Sequence, residues 1–247
     1  MIEIRGTTTL VGLLGWPTSH SLSPRMQNAG FDALGLDWTY VPLPTPAERL
    51  GDAVRGLLAS GFAGANVTIP HKEAVIAFCD ELDETAARAG SVNTLAIEDG
   101  RVLGSSTDGL AVTSQLEPEG RRALVLGTGG ASKAVASALG EAGADVVVVG
   151  RRDPAWPPSP QGFDILVNAT PVNDELVVRP VPAMQVVDLA YRPDGVPTAL
   201  IAAAREVGCH PCVDGLDVLL AQGAASFERW TGTAAPLVAM RAALRGS

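Results

Sequence analysis

Leu124-Val125-Leu126-Gly127-Thr128-Gly129-Gly130-Ala131-Ser132 decides the fold class. A short apolar run stops at a glycine turn, and the spacing beyond it predicts a helix over Ala131–Ala142. Strand, turn and helix in this order build parallel α/β sheets. Gly127 permits the tight turn, and Gly129 lets the backbone approach a pyrophosphate seated on the helix N-terminus. The third position of the fingerprint holds Ser132 rather than Gly or Ala. A plain βα turn uses glycine as well. A second apolar strand, predicted at Asp145–Val149, follows the helix and tips the balance toward a dinucleotide site at Gly127, Gly129, Gly130 and Ala131.

The end of that second strand selects the cofactor. An NAD site wants Asp or Glu there to accept from the ribose 2′-hydroxyl. The chain has Gly150-Arg151-Arg152 instead. Guanidinium groups suit a 2′-phosphate, which favours NADP, although Asp153 stands next to them as an alternative partner. Only Asp153–Gly162 separates Arg152 from the next strand, predicted at Phe163–Asn168, and four prolines in this stretch deny it a helix. Ten extended residues reach roughly 33 Å, and returning along a five-residue strand takes roughly 17 Å. The crossing needs no helix, so the sheet is expected to be trimmed by one helix and one edge strand.

Working outward, strands are expected at Thr9–Leu14, Trp38–Pro42 and Ala63–Thr68, with a hairpin at Asp99-Gly100. Ser23-Pro24 reads as a helix start, Ser as N-cap and Pro at the first helical position, with Gly35 as the stop. Pro70 is expected to open a helix bearing His71 and Lys72. Later strands fall at Gln185–Ala190 and Cys209–Val213, and closing helices at Leu216–Trp230 and Ala235–Leu244.

The composition narrows the class of protein. The chain has 247 residues, 18 basic and 27 acidic, for a net charge of −9. Hydrophobic residues make up 47 %, too many for a disordered chain. No apolar run approaches the ~20 residues that span a bilayer. An acidic chain lacks the basic face of a nucleic-acid binder. Together with a start that has no secretory pattern, this reads as a cytoplasmic protein. Lys72 and Lys133 are the only lysines, so an acid–base lysine must be one of the two. Cys79, Cys209 and Cys212 do not form a disulfide framework. Cys209-His210-Pro211-Cys212 offers at most three zinc ligands with no second cluster. A redox pair is the other functional reading, and a short buried strand is the preferred one.

Four polar clusters sit where α/β ligand clefts form. Ser21 and Ser23 surround a helix N-terminus, which is a carboxylate site or a simple cap. Thr68 and Lys72 stand at a strand–helix junction, where a lysine is also a common surface residue. Asn93 and Asp108 lie beside strand ends, where turn chemistry offers a second explanation.

Taken in order, these stretches resemble the shikimate dehydrogenase family. The matching stretches include Ser21-Leu22-Ser23-Pro24, Asn66-Val67-Thr68-Ile69-Pro70-His71-Lys72, Val92-Asn93-Thr94, Thr107-Asp108-Gly109, Gly127–Ser132, Asn168-Ala169-Thr170, Asp188-Leu189-Ala190-Tyr191 and Asp214-Gly215-Leu216-Asp217 with Gln222. The resemblance implies a two-domain α/β protein: a substrate domain over 1–105, completed by helices in 216–247, and a Rossmann-like NADP domain with a trimmed parallel sheet over 106–215. It implies that Ser21 and Ser23 bind the substrate carboxylate with Tyr191 nearby. Thr68, Asn93 and Gln222 would hold the ring oxygens, with Lys72 and Asp108 as the acid–base pair. Thr170 would stand with Gly127, Gly129, Gly130, Ala131, Arg151 and Arg152 at NADP. The implied reaction reduces 3-dehydroshikimate to shikimate, in a monomer or homodimer without metal.

The departures from the family pattern cluster around the cofactor. Ser106 replaces the usual Asn, Gly150-Arg151-Arg152 replaces Asn-Arg-Thr, and Pro171-Val172-Asn173 follows Thr170 where Ser-x-Gly-Met is usual. Two alternatives therefore stand beside the main reading. One is a dehydrogenase for quinate or an aminated shikimate; the other is a shikimate-binding regulatory homologue with weakened cofactor affinity.

Overall fold

The computed structural model describes residues 4–246. The chain divides into two compact units: residues up to Thr107 together with those from Leu220 onward, and Asp108–Leu219.

The first unit opens with β1 (Thr9–Gly15), α1 (Ser23–Ala33), β2 (Trp38–Pro44) and, after a 3₁₀ turn at Ala47–Arg49, α2 (Leu50–Ala59). It continues with β3 (Gly64–Val67), a 3₁₀ turn at Ala74–Phe78, β4 (Glu81–Leu82), α3 (Glu84–Ala89), β5 (Thr94–Glu98) and β6 (Arg101–Ser105). The six strands lie in the order β2-β1-β3-β5-β6-β4. β1 runs parallel to β2 and β3, and β5 is antiparallel to β3 and β6. Strand periodicity sorts the core into two layers. Val11 and Leu13 of β1 pack with Phe31, Tyr40 and Phe227, whereas Leu14 faces the other way onto Leu50, Val54 and Leu57 of α2. The hairpin turns at Asp99 and Gly100, both at positive φ (51° and 72°), as a two-residue primed turn requires.

The second unit holds α4 (Asp108–Thr113), β7 (Arg122–Leu126), α5 (Gly130–Glu141), β8 (Asp145–Val149), β9 (Ile165–Asn168), β10 (Gln185–Asp188), α6 (Ala199–Glu206) and β11 (Cys212–Val213). Its sheet runs β11-β10-β9-β7-β8, with every pairing parallel. A parallel sheet buried on both faces reads as continuous apolar strands, and Leu124, Val125, Ile165, Leu166, Val167, Val186 and Val187 are all buried. Then α7 (Gly215–Thr231) carries the chain back to the first unit, where α8 (Leu237–Arg245) packs on α1.

β8 is the edge of this sheet, and residues 150–164 hold no helix or strand. The expected trimming is present. Trp156 and Phe163 from this segment pack on the core beside Val147 and Val149, in the place of a helix. The Arg122 guanidinium lies 4.8 Å from the Phe163 ring centroid and donates to the Gly162 carbonyl at 2.8 Å, which ties the segment down.

Three local expectations are corrected. Pro70 opens no α-helix: none of residues 68–73 is helical, and the 3₁₀ turn begins only at Ala74. Ser23 is the first helical residue and not the cap; Leu22 occupies the cap position, and the Ser21 hydroxyl takes the Ser23 amide at 3.3 Å. The last sheet strand is only Cys212–Val213, with Cys209 buried outside it; the three cysteines are free.

Candidate active site

In the first unit, the end of β3 places the polar side chains. The Thr68 amide donates to the Leu14 carbonyl at 2.8 Å, so Thr68 stands beside the end of β1. Lys72 is held by the side chain of the residue before it and by its own carbonyl. The buried His71 ring reaches the Thr45 carbonyl at 2.6 Å, and the Val92 amide donates to the Lys72 carbonyl at 2.8 Å. Val92 precedes Asn93, which is 2 % exposed. Asn93 Nδ2 donates to Thr107 Oγ1 at 2.8 Å and to Gln222 Oε1 at 3.4 Å, and Asn93 Oδ1 accepts the Thr107 amide at 2.9 Å. Thr107 Oγ1 donates in turn to the Gln222 carbonyl at 3.1 Å.

A buried layer supports this arrangement. Asn66 Nδ2 lies 3.1 Å from the Asn93 carbonyl and 2.9 Å from Ser226 Oγ, while Asn66 Oδ1 accepts from the Tyr40 hydroxyl at 2.9 Å. Buried polar groups this well satisfied hold one geometry. The structure thus joins Asn93 to Gln222 and locks both beside the Lys72 main chain. Ser21 and Ser23 contact each other at the α1 N-terminus, where no side chain caps the first turn. Sequence reasoning missed Tyr40, Thr107 and Ser226 as supports, because their partners lie far away in the chain.

In the second unit, Asp108 is buried as the first residue of α4. Gly109 explains how it gets there: a Cβ on Gly109 would stand 2.6 Å from Ala138 Cβ and 2.8 Å from the Ala134 carbonyl of α5. Only glycine lets the two helices come this close.

The glycine turn is tight. Gly127 has φ +113°, and a Cβ there would meet the Ala169 carbonyl at 3.1 Å. Gly129 stands at the N-cap of α5 and no side-chain hydrogen bond caps the first turn, where Gly130 and Ala131 lie. Ser132 is fully buried and donates from Oγ to the Gly127 carbonyl at 2.6 Å, so a hydroxyl at the third position braces the turn. Thr170 stands beside this turn: its amide and hydroxyl donate to Asn168 Oδ1 at 3.1 and 2.7 Å. Arg151 and Arg152 are exposed just past β8. Asp153 does not pair with them; its carboxylate takes the Ala155 amide at 2.9 Å. Tyr191 is half-buried, its carbonyl accepting from Asn173 Nδ2 at 3.1 Å.

Among the described residues, no group of His, Cys, Asp and Glu could hold a metal, and no helix is long and apolar enough to cross a membrane.

Residues 13–95 match the family pattern described as shikimate dehydrogenase substrate binding domain, and residues 215–245 match the shikimate 5'-dehydrogenase C-terminal domain. A protein of Rubrobacter xylanophilus named shikimate dehydrogenase (NADP(+)) is 45 % identical, over 99 % of this chain and 98 % of its own. That alignment has 283 positions against a chain of 247, so at least 36 are not filled by this chain. A crystal structure of a shikimate dehydrogenase in complex with NADP+ superposes with a TM-score of 0.90 at 32 % identity, covering 98 % of this chain and 96 % of the other. The Thermus thermophilus shikimate 5-dehydrogenase in complex with NADP(H) and shikimate gives 0.84 at 33 % identity, covering 96 % and 99 %.

Proposed function

The chain belongs to the shikimate dehydrogenase family, and from that premise we propose that it catalyses the reversible NADPH-dependent reduction of 3-dehydroshikimate to shikimate. One observation carries the reading: the Lys72 main chain is locked one residue from Asn93, whose amide reaches Gln222. This gathers a proton donor and partners for ring oxygens on one unit.

The residues of the second unit fit NADP. The α5 N-terminus, which no side chain caps, would hold the pyrophosphate with Gly127, Gly129, Gly130 and Ala131. Arg151 and Arg152 would hold the 2′-phosphate, and Thr170 would contribute beside the glycine turn. When bound, NADPH supplies the hydride.

The first unit binds and orients the substrate. Ser21 and Ser23 would hold its carboxylate at the positive end of α1, with Tyr191 as a further substrate-binding residue. Thr68, Asn93 and Gln222 bind the ring oxygens. Lys72 donates a proton to the oxygen that reduction leaves negative, with Asp108 as its acid–base partner. Proton transfer of this kind is worth typically 10²–10⁴-fold.

The direct test mixes the protein with shikimate and NADP⁺ and follows absorbance of the reduced nicotinamide. The expected result is steady turnover, with quinate and an aminated shikimate oxidised far more slowly. Measurable shikimate binding with no turnover on NADP⁺ or NAD⁺ would overturn the proposal in favour of a binding protein.

A further inference from the structure

One buried carboxylate takes no part in the chemistry proposed for the site. Asp188, at the end of β10, is 0 % exposed. Its Oδ1 accepts from Asn168 Nδ2 at 2.8 Å and from the Ala190 amide at 3.0 Å. Its Oδ2 accepts from Thr198 Oγ1 at 2.5 Å, and Thr198 caps α6. Asn168 closes β9, and its side chain reaches the loop that follows. Asn168 Oδ1 takes both the amide and the hydroxyl of Thr170, while Nδ2 also donates to the Val172 carbonyl at 3.1 Å. The loop in turn crowds the glycine turn, because the Ala169 carbonyl is the group a Cβ on Gly127 would strike.

A side-chain amide can face either way, and its partners choose. An ionised carboxylate only accepts. Asp188 therefore draws the NH₂ end of Asn168 toward itself and turns the oxygen toward Thr170. Without an acceptor at 188, only the Val172 carbonyl at 3.1 Å still opposes the flipped amide, which would present NH₂ to two donors.

We propose that Asp188 is a positioning residue for cofactor binding: through Asn168 it sets Thr170 and the 169–172 loop against the Gly127 turn. The inference rests on reading that turn as the NADP site. A buried carboxylate is hard to maintain, since burial, reinforced by the Asp214 carboxylate, pushes Asp188 up to about 6. An apolar residue at 188 would avoid that cost but could not orient Asn168.

The test compares NADP⁺ and shikimate dissociation constants, by calorimetry, for wild type, Asp188→Ala, Asp188→Asn and Asn168→Ala. Asp188→Ala is expected to raise the NADP⁺ constant about tenfold, as loss of one or two buried hydrogen bonds would. The shikimate constant should change by less than about twofold on the same scale. Asp188→Asn should recover most of the loss, because its Oδ1 still accepts from Asn168 and Ala190; a purely space-filling role would not need that acceptor. Asn168→Ala should reproduce the Asp188→Ala defect, and it decides the matter if Asp188→Ala does not fold. Wild-type protein that binds NADP⁺ normally, with Asn168→Ala unchanged, overturns this inference alone. Wild-type protein that does not bind NADP⁺ overturns the functional reading and this inference with it.

Discussion

The two units build their sites from different materials. Around Lys72 the groups that would meet substrate are side chains, and a buried hydrogen-bonded layer of Asn66, Tyr40, Ser226 and Thr107 holds them. Around Gly127 the groups that would meet the cofactor are mostly backbone, exposed by glycines and by an uncapped helix. Side-chain sites fail when one residue is lost. Backbone sites tolerate loss at their margin and fail only when the turn itself is blocked. This explains how the cofactor unit can do without a helix after β8 while the substrate unit keeps its motifs.

The largest effect should come from Lys72→Ala, which removes the proton donor. Turnover should fall by roughly 10²–10⁴-fold with a much smaller change in the shikimate KM. Near wild-type turnover would remove Lys72 from the chemistry. Gly127→Val ranks next. It forces a branched side chain to φ +113° against the Ala169 carbonyl at a cost of roughly 1–3 kcal/mol. NADP⁺ affinity should drop by about tenfold or more while calorimetric shikimate binding stays intact; equal loss of both ligands would break the division of labour.

Arg151→Ala sharpens the contrast from the margin. Both arginines are exposed, and loss of one should raise the NADP⁺ KM by roughly 3–10-fold and leave the NAD⁺ KM unchanged. An equal effect on both cofactors would show that Arg151 does not read the 2′-phosphate.

The last effect falls on stability and leaves turnover and ligand affinity aside: it is a pH dependence. Burial moves Asp188 from the usual 3.8 to about 6, so the folded state holds this proton more tightly than the unfolded chain does. The resulting stabilisation is full below pH 3.8 and is lost as pH rises through about 6. It is worth up to ~3 kcal/mol. In urea unfolding, Asp188→Asn should therefore gain on wild type between pH 4 and pH 7. A stability difference that stays flat across that range would contradict the burial argument.

Much of this was legible in the sequence because it is local. The glycine turn, the Asp99-Gly100 hairpin and the proline-rich crossover each announce themselves within ten residues. Helix α3 has local signals too, though the sequence reading did not use them: Asp83 caps it by accepting the Ala86 amide at 2.8 Å, and Gly90 ends it at φ 59°. α4 was hidden because Asp108-Gly109 reads equally well as a turn; the tight packing on α5 that favours glycine there is tertiary. Ser23-Pro24 misled by one residue: Leu22 holds the cap position, no side chain caps the first turn, and the Ser21 hydroxyl only accepts the Ser23 amide. The Asn66 and Asp188 clusters could not be read at all. Their partners sit up to 160 positions apart, and only the folded sheet brings them together.

The central claim is that a cofactor unit with a shortened crossover still grips NADP. Calorimetric titration of the wild-type protein with NADP⁺ and with NAD⁺ tests it most directly. The account predicts one saturable site for NADP⁺ and affinity for NAD⁺ weaker by about tenfold. Undetectable heat from NADP⁺, in a sample that binds shikimate, would contradict it.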